Sequence, residues 1–196
     1  MHVLDRLDAP HRPYTVVLAD PPWQYSGDPT RDQAAGKHYA MLSLERLAAM
    51  PVPALLAPQS VLYLWATGPK LPLAVALLEA WRLRYLGVAF VWVKCRSDGT
   101  PIAGQGVRPT LVKPTTEFVL AASPVRRGRP LPVLDEALGQ VVLASRPGER
   151  HSAKPAEVRQ RIQRLHGRQR RLELFARDTA PGWDAWGCDV GSTPWR

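Results

Sequence analysis

The chain has 196 residues, 45% of them hydrophobic, with a formal charge of +9 and a pI near 10.1; it is long enough for one domain with a sizeable core and too apolar for a disordered chain. Its two cysteines, Cys95 and Cys188, lie far apart with no CxxC spacing, which argues against a disulfide framework and a cysteine-based zinc site, so no metal is expected. The basic balance favours a polyanionic partner such as nucleic acid, while the lack of a signal pattern or of an apolar stretch of spanning length argues against a membrane and for the cytoplasm.

The first element is expected over residues 14–19, an apolar and β-branched run that reads as a buried strand ending where the carboxylate of Asp20 begins. An acid at a strand's carboxyl end faces the usual ligand crevice of an open α/β sheet. Pro21 and Pro22 keep their carbonyls but have no N–H, so the turn is expected to offer acceptors with few competing donors. Such an edge suits a substrate amino group, and Trp23 adds an aromatic face on which an extruded base could stack. The amine of adenine is a poor nucleophile because its lone pair is delocalised into the ring. If the Asp20 carboxylate and the Pro21 carbonyl each take one hydrogen, that pair becomes localised, and the remaining catalysis is positioning and electrostatics. A strand that simply ends in Asp and a proline turn is the plainer alternative.

Residues 24–39 lack apolar periodicity and read as a long loop beside this turn. Ser43 then caps a short helix that Pro51 and Pro53 stop. A second buried strand is expected over 60–66, followed by a helix with Pro72 in its first turn and Leu73, Leu77 and Trp81 on its core face. Further strands are expected over 86–93, 117–121 and 140–144, so that strands and helices alternate as in a mostly parallel α/β sheet. Two loops carry the basic charge: 94–116, with Arg108 and Lys113, and 123–132, with Arg126, Arg127 and Arg129. Both suit a phosphate backbone, and both also suit a solvated surface.

His151-Ser152-Ala153-Lys154-Pro155 precedes a helix in which Val158, Ile162 and Leu165 mark the buried face and Arg159, Arg161 and Arg164 are expected to face water. Pro155 suits its first turn. Lysine and a hydroxyl at a helix amino end form an anion site, or an ordinary cap. A strand over 172–177 ends at Arg177 and Asp178, and Gly182-Trp183-Asp184-Ala185-Trp186-Gly187 follows, its tryptophans expected as packing.

Asp20-Pro21-Pro22-Trp23, His38-Tyr39, Leu64-Trp65, Trp81 to Tyr85, Trp92-Val93-Lys94, Glu117, His151-Ser152-x-Lys154-Pro155, Glu173-Leu174-Phe175-Ala176-Arg177 and Gly182-Trp183 occur in this order. Singly each is weak; jointly they make residues 14–189 resemble the MT-A family of S-adenosylmethionine-dependent adenine-N6 methyltransferases. The resemblance implies a Rossmann-like, mostly parallel sheet flanked by helices, in permuted order with the catalytic motif before the cofactor-binding strand, as one domain over 1–196. It implies S-adenosylmethionine as cofactor. It also implies a catalytic role for Asp20, Pro21, Pro22 and Trp23, with Asp20 and Pro21 holding the target amine and Lys154 holding the methionine carboxylate. Arg177 would meet the ribose, and Asp20, Ser152, Glu173, Cys188 and Asp189 complete the candidate cofactor contacts. Tyr25, Tyr39, Lys94, Arg108, Lys113, Glu117, Arg126, Arg127 and Arg129 are the candidates for substrate contact.

Two departures stand out. Gly187-Cys188-Asp189 replaces the family's Gly-Asn followed by Glu or Gln, and a thiol cannot replace an amide's paired donor and acceptor. Trp81-Arg82-Leu83 replaces Trp-Gly-Phe, with an effect expected on packing only. DNA is the expected substrate because small single-domain members resemble bacterial or phage DNA enzymes. An RNA adenine methyltransferase and a catalytically silent nucleic-acid-binding subunit are the alternatives; silent partners lose the acidic Pro-Pro-Trp motif, which is intact here. Whether the chain works as a homodimer or heterodimer is left open by the sequence.

Overall fold

The computed structural model describes residues 11–24, 41–102, 111–147, 153–187 and 189–192. They form one eight-stranded sheet. The strands are β1 Tyr14–Ala19, β2 Leu56–Thr67, β3 Arg84–Cys95, β4 Thr116–Ser123, β5 Val141–Ser145, β6 Arg171–Leu174, β7 Asp184–Gly187 and β8 Gly191–Ser192. Their spatial order is β5-β3-β4-β2-β1-β6-β7-β8. Parallel pairing joins β1 to β2 and β6, β3 to β5, and β6 to β7, whereas β4 runs against both its neighbours and β8 against β7. β1, β2, β3, β5, β6 and β7 therefore share one direction, and the Rossmann-like, mostly parallel expectation holds, with β4 reversed in the interior of the sheet.

β1 has neighbours on both sides and cover on both faces, which is why it reads as a continuous apolar run. Tyr14, Val17 and Ala19 join the core under α1 (Leu44–Ala48) and α2 (Leu71–Ala80), while Val16 and Leu18 join the core under α3 (Ala156–His166). Ser43 caps α1, its hydroxyl accepting from the Arg46 amide at 3.4 Å. Ala74, Leu77 and Leu78 are the buried residues of α2. Trp81 closes it, donating its indole N–H to the Leu47 carbonyl at 3.0 Å and so fastening α2 to α1.

Several expected boundaries move. β2 begins at Leu56 and not at Ser60, and β3 runs on to Cys95, so that Lys94 stands on a strand and not in a loop. β6 stops at Leu174 because Phe175 turns to φ 62, a left-handed conformation that no strand continues. Pro155 caps α3 from outside, at φ −68 and ψ 139, and does not form its first turn. The arginines of α3 are not simply wet: Arg159 binds Glu173, Arg161 binds the Gly139 carbonyl and Arg164 pairs with Asp135. Arg82 adopts φ 57. The departure from the family's glycine there is thus a backbone matter as well as a packing one, since a side chain in that region is strained. Among the described residues no helix is long and apolar enough to cross a membrane.

Candidate active site

The reversed direction of β4 builds the site. Its amino end brings Glu117 level with the carboxyl ends of β2 and β3, opposite Thr67 and Trp92. Asp20 leaves the carboxyl end of β1 with its amide on the Leu174 carbonyl of β6 at 3.3 Å. Lys154, two residues before α3, reaches across both and puts its ammonium 2.7 Å from Asp20 Oδ2 and 3.6 Å from Glu117 Oε2. Lys94 takes the other Glu117 oxygen at 2.8 Å. Beneath this row lie two indoles in edge contact, Trp65 and Trp92, with Lys154 5.5 Å from the first ring centre and Lys94 5.2 Å from the second. Asp20, Lys154, Glu117 and Lys94 thus form an alternating row of charges on a tryptophan floor.

Burial decides how these groups titrate, because taking a charge from water is costly unless it is paired. Burial pushes the Asp20 carboxyl up against the pull of Lys154, and the nearby Glu117 charge adds to the rise. Burial would also raise Glu117, but Lys154 and Lys94 together outweigh it and hold that carboxyl below the ordinary glutamate value.

The turn after Asp20 corrects the expectation of free acceptors. The Trp23 amide donates to the Pro21 carbonyl at 2.8 Å, and the Leu42 amide donates to the Pro22 carbonyl at 2.9 Å. Each carbonyl keeps a second lone pair, so Pro21 can still accept, but with that pair alone. Trp23 is 5% exposed and donates its indole N–H to the Trp65 carbonyl at 3.2 Å. It packs under the turn, and its face is not open to a stacking base.

A second group gathers where β6 ends. Glu173 holds both carboxylate oxygens on Arg159 Nη1, at 3.0 and 2.8 Å. Burial raises its pKa, Arg159 opposes the rise, and Asp20 and Asp178 add to it. Arg177 pairs with Asp189 at 3.0 Å. These segments touch closely: the Ala176 amide bonds to the Trp186 carbonyl at 2.9 Å, and a Cβ on Gly187 would fall 2.1 Å from the Ala176 carbonyl oxygen. Only glycine fits there. Trp183 and Trp186 are buried as packing.

Of the candidates, Asp20, Pro21, Pro22, Trp23, Lys94, Glu117 and Lys154 come together, with Glu173, Arg177 and Asp189 alongside at the same edge. Lys113 is exposed on the approach to β4. Tyr25, Tyr39, Arg108, Ser152 and Cys188 lie outside the described residues. Arg126, Arg127 and Arg129 do not join the site. They follow the carboxyl end of β4, six strand steps beyond Glu117 and roughly 20 Å away, at the edge where β3 begins. Arg84 there bonds to the Val125 and Gly128 carbonyls, and Arg129 pairs with Glu136.

Sequence reasoning missed Arg159 as the partner of Glu173; its five-residue offset from Lys154 at the start of one helix was the available signal. It also missed Lys70, whose ammonium bonds to the Gln24 carbonyl at 2.6 Å. Lys70 lines a cavity of about 270 Å³ beside Trp23, Gln24, Leu42 and Ser43. Nothing in the residues around Lys70 announced it.

A mostly parallel α/β sheet, with an acid-proline turn and a half-buried lysine paired to the acid at its carboxyl edge, has the architecture of the methyltransferase class. The chain belongs to the MT-A70 family, whose model matches residues 14–189, and it is an adenine-N6 methyltransferase. It is 32% identical to the type II methyltransferase M.MunI of a Mycoplasma species, covering 92% of this chain and 79% of that protein. It is 30% identical to the human N(6)-adenine-specific methyltransferase METTL4 over 90% of this chain and 37% of the relative. Against the N6-methyladenosine RNA methyltransferase MTA1 of Pyricularia oryzae it is 28% identical over 90% of this chain and 47% of the relative. The chain thus spans most of the bacterial protein and less than half of the two eukaryotic ones. MT-A70 methyltransferases depend on S-adenosylmethionine as a family.

Proposed function

We propose that this chain transfers the methyl group of S-adenosylmethionine to the N6 amine of adenine in DNA. The observation that carries the reading is the Asp20–Lys154 pair at the carboxyl edge of the central strand, one carboxylate suited to an amine and one ammonium suited to a carboxylate. Bound S-adenosylmethionine supplies an electrophilic methyl group on sulfur. The residues present fit such a ligand. Lys154 offers a cation to its methionine carboxylate, Glu173 offers a carboxylate already oriented by Arg159 to hydroxyls, and Arg177 and Asp189 stand together where ribose and adenine contacts are expected. Phe175, strained at φ 62 between them, accords with a site whose backbone is shaped for binding.

In this reading Asp20 and the second lone pair of the Pro21 carbonyl accept the two N–H groups of the target amine and hold its lone pair toward the methyl group. Pro22 and Trp23 keep the turn rigid, the first through its fixed φ and the second through its bond to the Trp65 carbonyl. Asp20 draws most strongly on the amine hydrogens when ionised, so its burial-raised pKa means that activity falls with acid earlier than an ordinary aspartate would require. Lys113, exposed at the same edge, meets the phosphate backbone, and the basic charge of +9 favours the encounter. DNA is preferred to RNA because the match to the bacterial relative spans 79% of that protein.

Methyl transfer from labelled cofactor to matched pools of DNA and RNA, followed by nucleoside analysis, tests the proposal. N6-methyladenine in the DNA pool is the expected product. Label in RNA alone would change the substrate, and label in neither would leave a nucleic-acid-binding subunit as the better account.

A further inference from the structure

Lys94 was a candidate for substrate contact, yet the structure gives it other work. It stands on β3, a strand hydrogen-bonded on both sides, with its ammonium over the Trp92 ring, 5.2 Å from its centre, and 2.8 Å from Glu117 Oε1. Glu117 is 7% exposed and has two cationic neighbours at unequal range, Lys94 at 2.8 Å and Lys154 at 3.6 Å. Lys154 in turn leans the other way, to Asp20 at 2.7 Å. A buried carboxylate deprived of Lys94 would draw its charge compensation from Lys154, its other cationic neighbour among the described residues, and would take it from Asp20.

We infer that Lys94 is a positioning residue: by occupying Glu117, it leaves Lys154 leaning on Asp20 and thereby sets the charge state of the acceptor that holds the target amine. The inference rests on the proposed roles of Asp20 and Lys154. The charged groups around Asp20 are Lys154 ahead of α3, Glu117 on β4, and Arg177 and Glu173 at the end of β6. Lys94 acts on this set through Glu117. The two tryptophans explain the precision of the arrangement. They come from β2 and β3, β4 lies between those strands, and each lysine is seated over its own indole on either side of the Glu117 carboxylate.

The test substitutes Lys94→Met, which keeps an unbranched side chain of similar length without the charge, and Lys94→Arg, which keeps the charge. The Asp20 carboxyl is titrated directly by carbon NMR on labelled protein, assigned by difference against Asp20→Asn, so that the readout needs no turnover. Lys94→Met is expected to raise the Asp20 titration by about one pH unit, a tenfold change in proton affinity. The acid limb of kcat should move with it, while KM for DNA stays within about twofold. Lys94→Arg should restore the parent titration, and so should adding Glu117→Gln to Lys94→Met, because the excess anion is then gone. Should Lys94→Met not fold, Glu117→Gln alone reads the same pull from the other side and should lower the Asp20 titration. An unmoved Asp20 titration in the folded Met variant, or in Glu117→Gln, overturns the inference. A KM for DNA raised about tenfold with the titration unmoved overturns it too and makes Lys94 a direct contact. Failure of the parent protein to methylate DNA would strike the proposed function while leaving the NMR result readable.

Discussion

At the carboxyl edge of the sheet, Asp20, Lys154, Glu117 and Lys94 lie over two tryptophans and satisfy one another at 2.7 to 3.6 Å. At the opposite edge Arg126 and Arg127 stand in water, and Arg129 meets Glu136 with both side chains 71% exposed. The two edges have charge in common but not geometry. A charge withdrawn from water, as Glu117 is fully and its neighbours in part, must be paired, so its partners are specified and a single substitution disturbs the whole row. An exposed ion pair is worth little in either orientation, about 0 to 1 kcal/mol, and leaves its members free to be replaced. Charge clustering in a sequence therefore says less about a site than the edge to which topology sends it.

The comparison fails first if the paired row is dispensable. Asp20→Ala should lower methyl transfer by about a thousandfold or more, the scale at which a preorganised electrostatic contact acts. Cofactor affinity, measured by calorimetry, should stay within a few-fold, and an equal loss of both would move Asp20 from the amine to the cofactor. Lys154→Ala should raise the cofactor dissociation constant roughly tenfold or more, since charge-assisted hydrogen bonds contribute about 1.5 to 3 kcal/mol. An unchanged constant would place the carboxylate contact elsewhere.

A buried histidine sharpens the contrast, because α3 carries Lys154 ahead of its amino end and His166 at its last turn. His166 Nδ1–H donates to the Pro132 carbonyl at 3.0 Å, a carbonyl being an acceptor only, and Nε2 is left to accept from Tyr63 O–H at 2.8 Å. Burial lowers its pKa, with the Pro132 bond pulling the other way. Below about 6.5 the unfolded chain takes up a proton that the folded one resists, so this contribution is complete above about 6.5 and falls as pH drops through the lower folded value. Denaturant midpoints should show the parent losing more stability between neutral and mildly acid pH than His166→Asn does. Parallel losses would mean that His166 keeps its ordinary titration in the folded chain. Smaller still is Arg82→Gly. Relief of the left-handed backbone at φ 57, less the added freedom of glycine in the unfolded chain, should stabilise by about 0.5 to 1 kcal/mol. A lower melting temperature would show that the Arg82 side chain contributes more than its backbone costs.

The smallest expected effect bears most directly on the two edges. Neutralising Arg126, Arg127 and Arg129 together should change the slope of log K against log salt for DNA binding by less than about one unit, whereas each phosphate that a cation of the working edge neutralises contributes nearly one unit by itself. A slope flattened by two or more would make the exposed arginines part of the DNA interface after all.

Local chemistry made much of this molecule readable from its residues. The run before Asp20 has to be a strand buried on both faces, Ser43 has to cap, Leu77 and Trp81 have to face the core, and the acid, lysine and arginine motifs occur in the family's order. These features depend on neighbours within a few residues, which a sequence displays directly. Tertiary structure decided the rest. Lys94 and Glu117 lie 23 positions apart in sequence, and their pairing depends on β4 entering antiparallel between β2 and β3. The same reversal sends the arginine-rich loop after β4 to the far edge. Trp23 is closed by a carbonyl from β2, and Arg159 is taken from solvent by Glu173, which arrives only when β6 docks beside β1. Contacts between strands distant in sequence are set by register and direction, and neither is written in the local pattern of a single strand.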